Sequence, residues 1–171
     1  FLLCYAGFAG MIMTGDLFNL YVFIEISSLA AYALITQGKN PRALIGAFDY
    51  LILGTVGATL MLIGIGLLFS VTGTLNMADM KLRLEGLYDS RVVMSGCIFF
   101  LIGSLLKIAL FPMHFWMVKA YSYTSSLILA FLAGVSSNIG FYVIIRFIYF
   151  IFDYQILFEK YYFGSFIQIL S

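Results

Sequence analysis

Charge is what this chain has least of. Only 10% of its 171 residues are charged, nine Lys and Arg against eight Asp and Glu, whereas a soluble domain carries about 25%. A net charge of +1 gives no electrostatic support for a nucleic-acid partner, so we exclude that class of function. Because 63% of the residues are hydrophobic, the composition indicates a protein embedded in a lipid bilayer.

Cysteine is scarce as well. Cys4 and Cys97 stand in apolar runs without the spacing of metal ligands, so we interpret both as small core residues and expect no metal site. No segment has the pattern of a flavin, haem or iron–sulfur site, so we expect no cofactor and favour a transporter subunit over an enzyme. The first apolar run lacks a charged leader or a cleavage site, which favours a truncated helix of a longer polytopic chain over a signal peptide.

Long hydrophobic runs are abundant, and a membrane span needs about 20 apolar residues. They predict an all-α membrane bundle of about five transmembrane helices, with partial ones at the ends. The runs are Phe1–Met13, Leu17–Thr36, Ala43–Val71, Val92–Phe111 and Leu127–Phe152, and Tyr161–Ser171 opens a further one. Between the third and fourth runs, the polar stretch Thr72–Arg91 predicts a short helix at the membrane interface.

The fourth run meets one of the two prolines of the chain. Pro112 lacks a backbone N–H and its ring clashes with the preceding turn, so we predict a helix break between Leu110 and Phe115. Broken helices at membrane depth are tolerated where they line protein or a wet cavity. His114, the single histidine, follows the break and is a candidate proton carrier. The alternative is an interfacial histidine beside Trp116.

Two opposite charges lie near mid-membrane. At 1.5 Å per residue, Glu25 is about 12 Å beyond Leu17 and Lys107 about 18 Å beyond Ser95. The second and fourth runs cross in the same direction, so both charges approach mid-bilayer. Intramembrane charges are costly and commonly mark proton or ion paths. We therefore predict that Glu25 and Lys107 face each other as a proton relay. The alternative is a static ion pair that fixes helix register.

Other charges lie nearer the span ends. Asp49 and Arg146 are within about two helical turns of an end, which predicts interface pairing or snorkelling. The short loop 37–42 carries Lys39 and Arg42 without an acid, which predicts that this loop is cytoplasmic. We therefore expect a multi-pass protein of the inner (plasma) membrane.

Four segments carry a family resemblance: "TGDLFNLYVFIEISSLAAYALI", "GTLNMAD", "KIALFPMHFW" and "AGVSSNIGFYVIIR". They resemble the proton-conducting membrane transporter family, which includes the antiporter-like subunits of respiratory complex I and the large subunits of Mrp-type cation/proton antiporters. Gly15–Asn19 and Gly73–Asp79 are most similar to the D-type subunit of the Mrp antiporters. The resemblance implies a single membrane domain over 1–171, about one five-helix repeat of a longer chain. It also implies that Glu25 tunes the proton affinity of Lys107.

The chain departs from the family pattern at several positions. Asn138 stands where the family usually has a lysine or histidine, and an amide can line a polar path but cannot carry a proton at neutral pH. In "WMVKA", Val118 and Lys119 replace the proline and aspartate of the family's "WLPDA".

Three functions remain open from the sequence. The first is a proton-translocating subunit of a multisubunit Na⁺ or K⁺/proton antiporter. The alternative is an antiporter-like proton-pumping subunit of NADH:quinone oxidoreductase or a related redox complex. The third is a structural membrane subunit that does not conduct. The expected partners are the lipid bilayer, other membrane subunits, protons and Na⁺ or K⁺.

Overall fold

The computed structural model describes residues 1–38, 41–110 and 113–152, and its regular structure there is helical. Helices α1 to α6 are Leu2–Met13, Leu17–Thr36, Arg42–Thr72, Met77–Leu84, Arg91–Ile108 and Phe115–Ser122. A final span, Ser126–Ile151, contains α7 (Ser126–Phe131) and α8 (Ser137–Arg146), each followed by a π-helical turn.

The predicted all-α membrane architecture is confirmed. Among the described residues, α2, α3, α5 and the span Ser126–Ile151 are long and apolar enough to cross a membrane, while α1 has 12 residues. Helix α3 has 31 residues, or about 46 Å at 1.5 Å per residue, so it exceeds a hydrocarbon core of about 30 Å and must tilt or extend beyond it. The predicted run 161–171 lies outside the described residues.

The N-terminal ends of α2 and α4 are joined by backbone contacts on one side of the bundle. Asp16 caps α2 by accepting a hydrogen bond from Asn19 N at 2.8 Å. Asn76 caps α4 by accepting from the two amides that follow Met77. An antiparallel bridge joins the two capping residues. Helix α4, the short helix predicted between the third and fourth runs, is thereby anchored beside α2.

Helices α3 and α5 form the most extensive helix pair among the described elements, and glycines allow their close approach. Gly57 and Gly64 of α3 face Gly103 and Gly96 of α5, and we call these four residues the glycine seam. A Cβ on Gly64 would lie 2.7 Å from the Gly96 carbonyl oxygen, and one on Gly103 would overlap the Gly57 carbonyl oxygen. Small residues of this kind let membrane helices pack backbone against backbone. The seam therefore fixes α5 against α3.

The predicted helix break is confirmed and begins at Ala109. Helix α5 ends at Ile108, and Ala109 adopts a left-handed conformation with φ of 58°, which costs an alanine about 1–3 kcal/mol. The Trp116 indole N–H donates to the Leu106 carbonyl oxygen at 3.2 Å, which satisfies one carbonyl at the helix end. Pro112, the predicted cause of the break, lies outside the described residues.

Candidate functional site

Glu25 and Lys107 meet inside the bundle, as predicted. The Lys107 ammonium (Nζ) lies 2.7 Å from Glu25 Oε1, and the two side chains are 9% and 21% exposed. Helices α2 and α5 cross in the same direction, which brings the two charges to the same depth. The geometry is confirmed, while the relay role of the pair stays a prediction.

Ser28 is a third member of this site that the sequence interpretation missed. Its Oγ accepts a hydrogen bond from Lys107 Nζ at 2.8 Å and donates its own proton to the Ile24 carbonyl. Ser28 follows Glu25 by one helical turn, so both residues face α5. That spacing is the signal that could have identified it. The ammonium is therefore held by one charged and one neutral acceptor.

The end of α5 also favours a cation at this site. Lys107 lies in the last turn of the helix, because the chain leaves the α conformation at Ala109. Carbonyl groups at a helix C-terminus carry partial negative charge, which stabilises a nearby ammonium. The helix break thus contributes to the electrostatics of the lysine as well as to the path of the chain.

A cavity of about 50 Å³ adjoins Lys107 between α2, α5 and the last span. This is room for a few water molecules, since one requires about 10–15 Å³. Four serines line it, Ser27, Ser28, Ser104 and Ser136. Ser27 and Ser104 donate their hydroxyl protons to carbonyls of their own helices, at 2.9 and 2.8 Å. Their oxygen lone pairs remain to accept hydrogen bonds from water, while most of the other lining residues are apolar.

An aromatic stack connects α2 to the helix break. The Tyr32 ring of α2 lies edge-on to Tyr50 of α3, with 4.4 Å between ring centroids. Tyr50 stacks in parallel on Trp116 at 4.3 Å, and it also lines the cavity. Because Trp116 bonds the Leu106 carbonyl next to Lys107, the stack fixes the end of α5 relative to α2.

The structure does not bring His114 or Asn138 to the cavity. His114 is half-buried at the start of α6 and stacks on Phe115, with 4.9 Å between ring centroids. Asn138 is exposed, and its amide donates to the Gly134 carbonyl of its own helix at 2.8 Å. Neither is among the described residues that line the cavity. Their predicted places on a proton path therefore stay predictions.

The other two ionisable groups in the apolar runs have local partners, as predicted. Asp49 of α3 pairs with Lys119 of α6 at 3.0 Å, and the lysine side chain is 65% exposed. Arg146 donates to the carbonyls of Met11 and Ile12 at 3.2 Å each. An arginine near the end of α1 satisfies carbonyls that the helix leaves free. These contacts are structural.

Comparison with known proteins gives a family match over most of the chain. The family model described as "NADH:quinone oxidoreductase/Mrp antiporter, TM" matches residues 14–171. The chain is 51% identical over 151 residues to NADH-quinone oxidoreductase subunit N of Desulforudis audaxviator (strain MP104C), covering 88% of this chain and 30% of the relative. It is 38% identical over 147 residues to putative antiporter subunit mnhD2 of Staphylococcus haemolyticus (strain JCSC1435), covering 86% and 29%.

Solved structures share the fold. A chain of the membrane-bound sulfane sulfur reductase, an archaeal respiratory membrane complex, superposes with a TM-score of 0.84 at 34% identity, over 89% of this chain and 31% of that one. A chain of the Mrp complex from Dietzia sp. DQ12-45-1b superposes with a TM-score of 0.80 at 30% identity, over 89% and 29%. This chain therefore spans about a third or less of the length of each protein it matches.

Proposed function

We propose, from the premise that this chain belongs to the NADH:quinone oxidoreductase/Mrp antiporter membrane family, that it is a proton-translocating part of a multisubunit cation/proton antiporter. The observation that carries this proposal is the Lys107–Glu25 pair, joined at 2.7 Å inside the bundle and adjacent to a small cavity whose wall includes four serines. A lysine that can exchange partners beside water has the chemistry of a proton carrier.

The proposed cycle begins with a protonated lysine. Glu25 and Ser28 hold the Lys107 ammonium, and this pairing offsets the cost of a charge away from bulk water. A conformational step separates the lysine from Glu25. Without its counter-charge the ammonium is disfavoured, so the proton passes to water in the adjacent cavity. Return of the neutral lysine and uptake of a proton from the opposite side complete the cycle.

The coupled process has two candidates. Cation/proton antiport fits the relatives named as Mrp and mnhD2 subunits. Proton pumping driven by a redox module fits the 51% identity to a NADH-quinone oxidoreductase subunit N and the likeness to a respiratory sulfur reductase. In the redox-driven alternative, other subunits of the complex would supply the electrons, whereas antiport is driven by the ion gradient itself.

The placement in the cell is part of the proposal. We assign the chain to the plasma membrane, with loop 37–42 on the cytoplasmic side because its two basic residues flank spans. We also assign 1–171 to a single membrane domain equivalent to about one five-helix repeat. A Gln37→Cys variant tests the orientation. Labelling of this cysteine by an impermeant reagent added to intact cells would place the loop outside and contradict the assignment.

The function is tested on the full-length protein in its complex, in inverted membrane vesicles. A pH gradient that responds to added Na⁺ or K⁺ without an electron donor supports antiport. A gradient that requires an electron donor supports the redox-driven alternative. If vesicles that contain the assembled complex form no gradient under either condition, proton translocation is contradicted. The remaining function is then a structural membrane subunit that does not conduct.

A further inference from the structure

The hydroxyl group of Tyr32 is a buried polar group that the Lys107–Glu25 pair does not use. Tyr32 lies on α2 about one turn beyond Ser28 and two beyond Glu25, so the three residues share one face of the helix. Only 6% of the residue is exposed. Ser28 is the hydrogen-bonding neighbour of the Tyr32 hydroxyl, but the contact does not reach full hydrogen-bond geometry while Lys107 occupies the serine. A buried hydroxyl that is incompletely hydrogen-bonded costs free energy.

Packing holds the Tyr32 ring in this position. Tyr50 lies against the ring at 88°, with 4.4 Å between centroids. The hydroxyl sits over Gly54 of α3, where an added Cβ would overlap it. Glycine at that position leaves room for the hydroxyl, while Tyr50 restricts tilting of the ring. The unsatisfied group is therefore a property of well-packed surroundings and not of a loose side chain.

Ser28 connects Tyr32 to the ion pair. Its oxygen accepts from Lys107 Nζ at 2.8 Å, and its own proton goes to the Ile24 carbonyl. When Lys107 withdraws, the serine oxygen loses its ammonium donor. The O–H of Tyr32, one turn away on the same face, is a donor of the right kind to replace it.

We propose that Tyr32 is a positioning residue that acts through Ser28: its O–H donates to the Ser28 oxygen when the Lys107 ammonium leaves. The inference rests on the proposed function, because it needs a separated state of the pair. In the paired state the Tyr32 hydroxyl approaches Ser28 without reaching full hydrogen-bond geometry, whereas in the separated state the serine oxygen, freed of the ammonium, can turn to accept from it. Tyr32 therefore lowers the free energy of separation relative to a phenylalanine at the same position, and it speeds release of the lysine.

Tyr32→Phe tests the proposal, because it keeps the ring and removes only the hydroxyl. In vesicles with the full-length protein in its complex, we expect the maximal transport rate to fall about tenfold, equivalent to about 1.4 kcal/mol. The half-saturating concentration of the driving cation or electron donor stays unchanged, and the melting temperature stays equal or rises. Tyr142→Phe is the matched control, because the Tyr142 hydroxyl approaches the Ile12 carbonyl of α1 at 3.5 Å. The transport rate of this variant should match that of wild type.

A double-mutant cycle shows whether the effect passes through Ser28. In a Ser28→Ala background Tyr32→Phe should cause no further loss, because the acceptor is already gone. Independent, additive losses would overturn the inference, as would a wild-type rate in Tyr32→Phe. If that wild-type rate accompanies an inactive Lys107→Ala variant, the inference fails alone. A fully active Lys107→Ala variant would overturn the proposed function and the inference with it.

Discussion

Two lysine–carboxylate pairs of this chain have similar geometry in different surroundings. Lys107 and Glu25 are 2.7 Å apart, with side chains 9% and 21% exposed. Lys119 and Asp49 are 3.0 Å apart, with side chains 65% and 32% exposed. An exposed pair contributes about 0–1 kcal/mol, because water and salt screen it. Removing one partner of a buried pair costs about 3–5 kcal/mol, because a charge is left without compensation.

The two pairs differ in their surroundings more than in their distances. Lys107 adjoins a small cavity whose mostly apolar wall includes four serines, and the proposed cycle passes its proton to water there. Lys119 is mostly open to its surroundings and binds a single described carboxylate. Under the proposed function the buried pair couples protonation to structure, whereas the exposed pair joins α3 to α6.

The strongest test removes each lysine in turn. Lys107→Ala should reduce cation- or donor-driven transport in vesicles to background, while the complex still assembles because Glu25 can take up a proton and become neutral. Lys119→Ala removes the same charge from the exposed pair and should retain most of the transport. Equal transport by both variants at matched expression would contradict the view that the buried pair, unlike the exposed one, is needed for transport.

The second test keeps the shape of the buried acid and removes its charge. Glu25→Gln retains size and hydrogen bonding, but Lys107 loses its counter-charge and holds its proton less firmly. Transport should fall and its pH optimum should move to more acid values, measured as a pH profile in vesicles. Glu25→Asp keeps the charge on a shorter stem, so part of the activity should remain. A wild-type rate and an unmoved optimum in Glu25→Gln would make Glu25 a static buried acid.

A third test moves the helix that carries Lys107. Gly103→Ala places a methyl group against the Gly57 carbonyl of the glycine seam, and overpacking of this kind costs about 1–3 kcal/mol. The variant should melt at a lower temperature and transport more slowly, because α5 is displaced from α3 and α2. Gly66→Ala is the control, since a Cβ there meets no described atom within 4 Å. A Gly103→Ala variant with unchanged melting would show that the helices adjust freely.

The sequence was sufficient for the spans and for the ion pair. Glu25 and Lys107 stand out because a charge in an apolar run needs a partner, and equal depth on parallel spans leaves few choices. The serines could not be predicted, because a serine in a helix often bonds only its own backbone. His114 and Asn138 are predicted from their position along the chain or from the family pattern. Neither criterion determines which face of a helix turns to the cavity.

The smallest effect is expected from an exposed pair outside the spans. Arg83 lies 3.1 Å from Asp79 on α4, and hydrogen bonds from Arg83, then from Thr74, lower the pKa of the Asp79 carboxyl. The lowered pKa of Asp79 stabilises the fold at pH values above the pKa of the unfolded chain, about 3.9. That contribution disappears as the pH falls through the lower pKa of the folded state. Asp79→Asn should therefore melt slightly below wild type at pH 7.

The difference in melting temperature between Asp79→Asn and wild type should become smaller as the pH is lowered below about 4. It should also become smaller in 1 M salt, which screens exposed charges. Melting curves of the detergent-solubilised complex at each condition provide the measurement. Transport by Asp79→Asn should match wild type, because both side chains of this pair are exposed and neither is among the described residues that line the cavity. A transport defect as large as that of Glu25→Gln would mean that exposure does not separate structural from functional pairs in this chain.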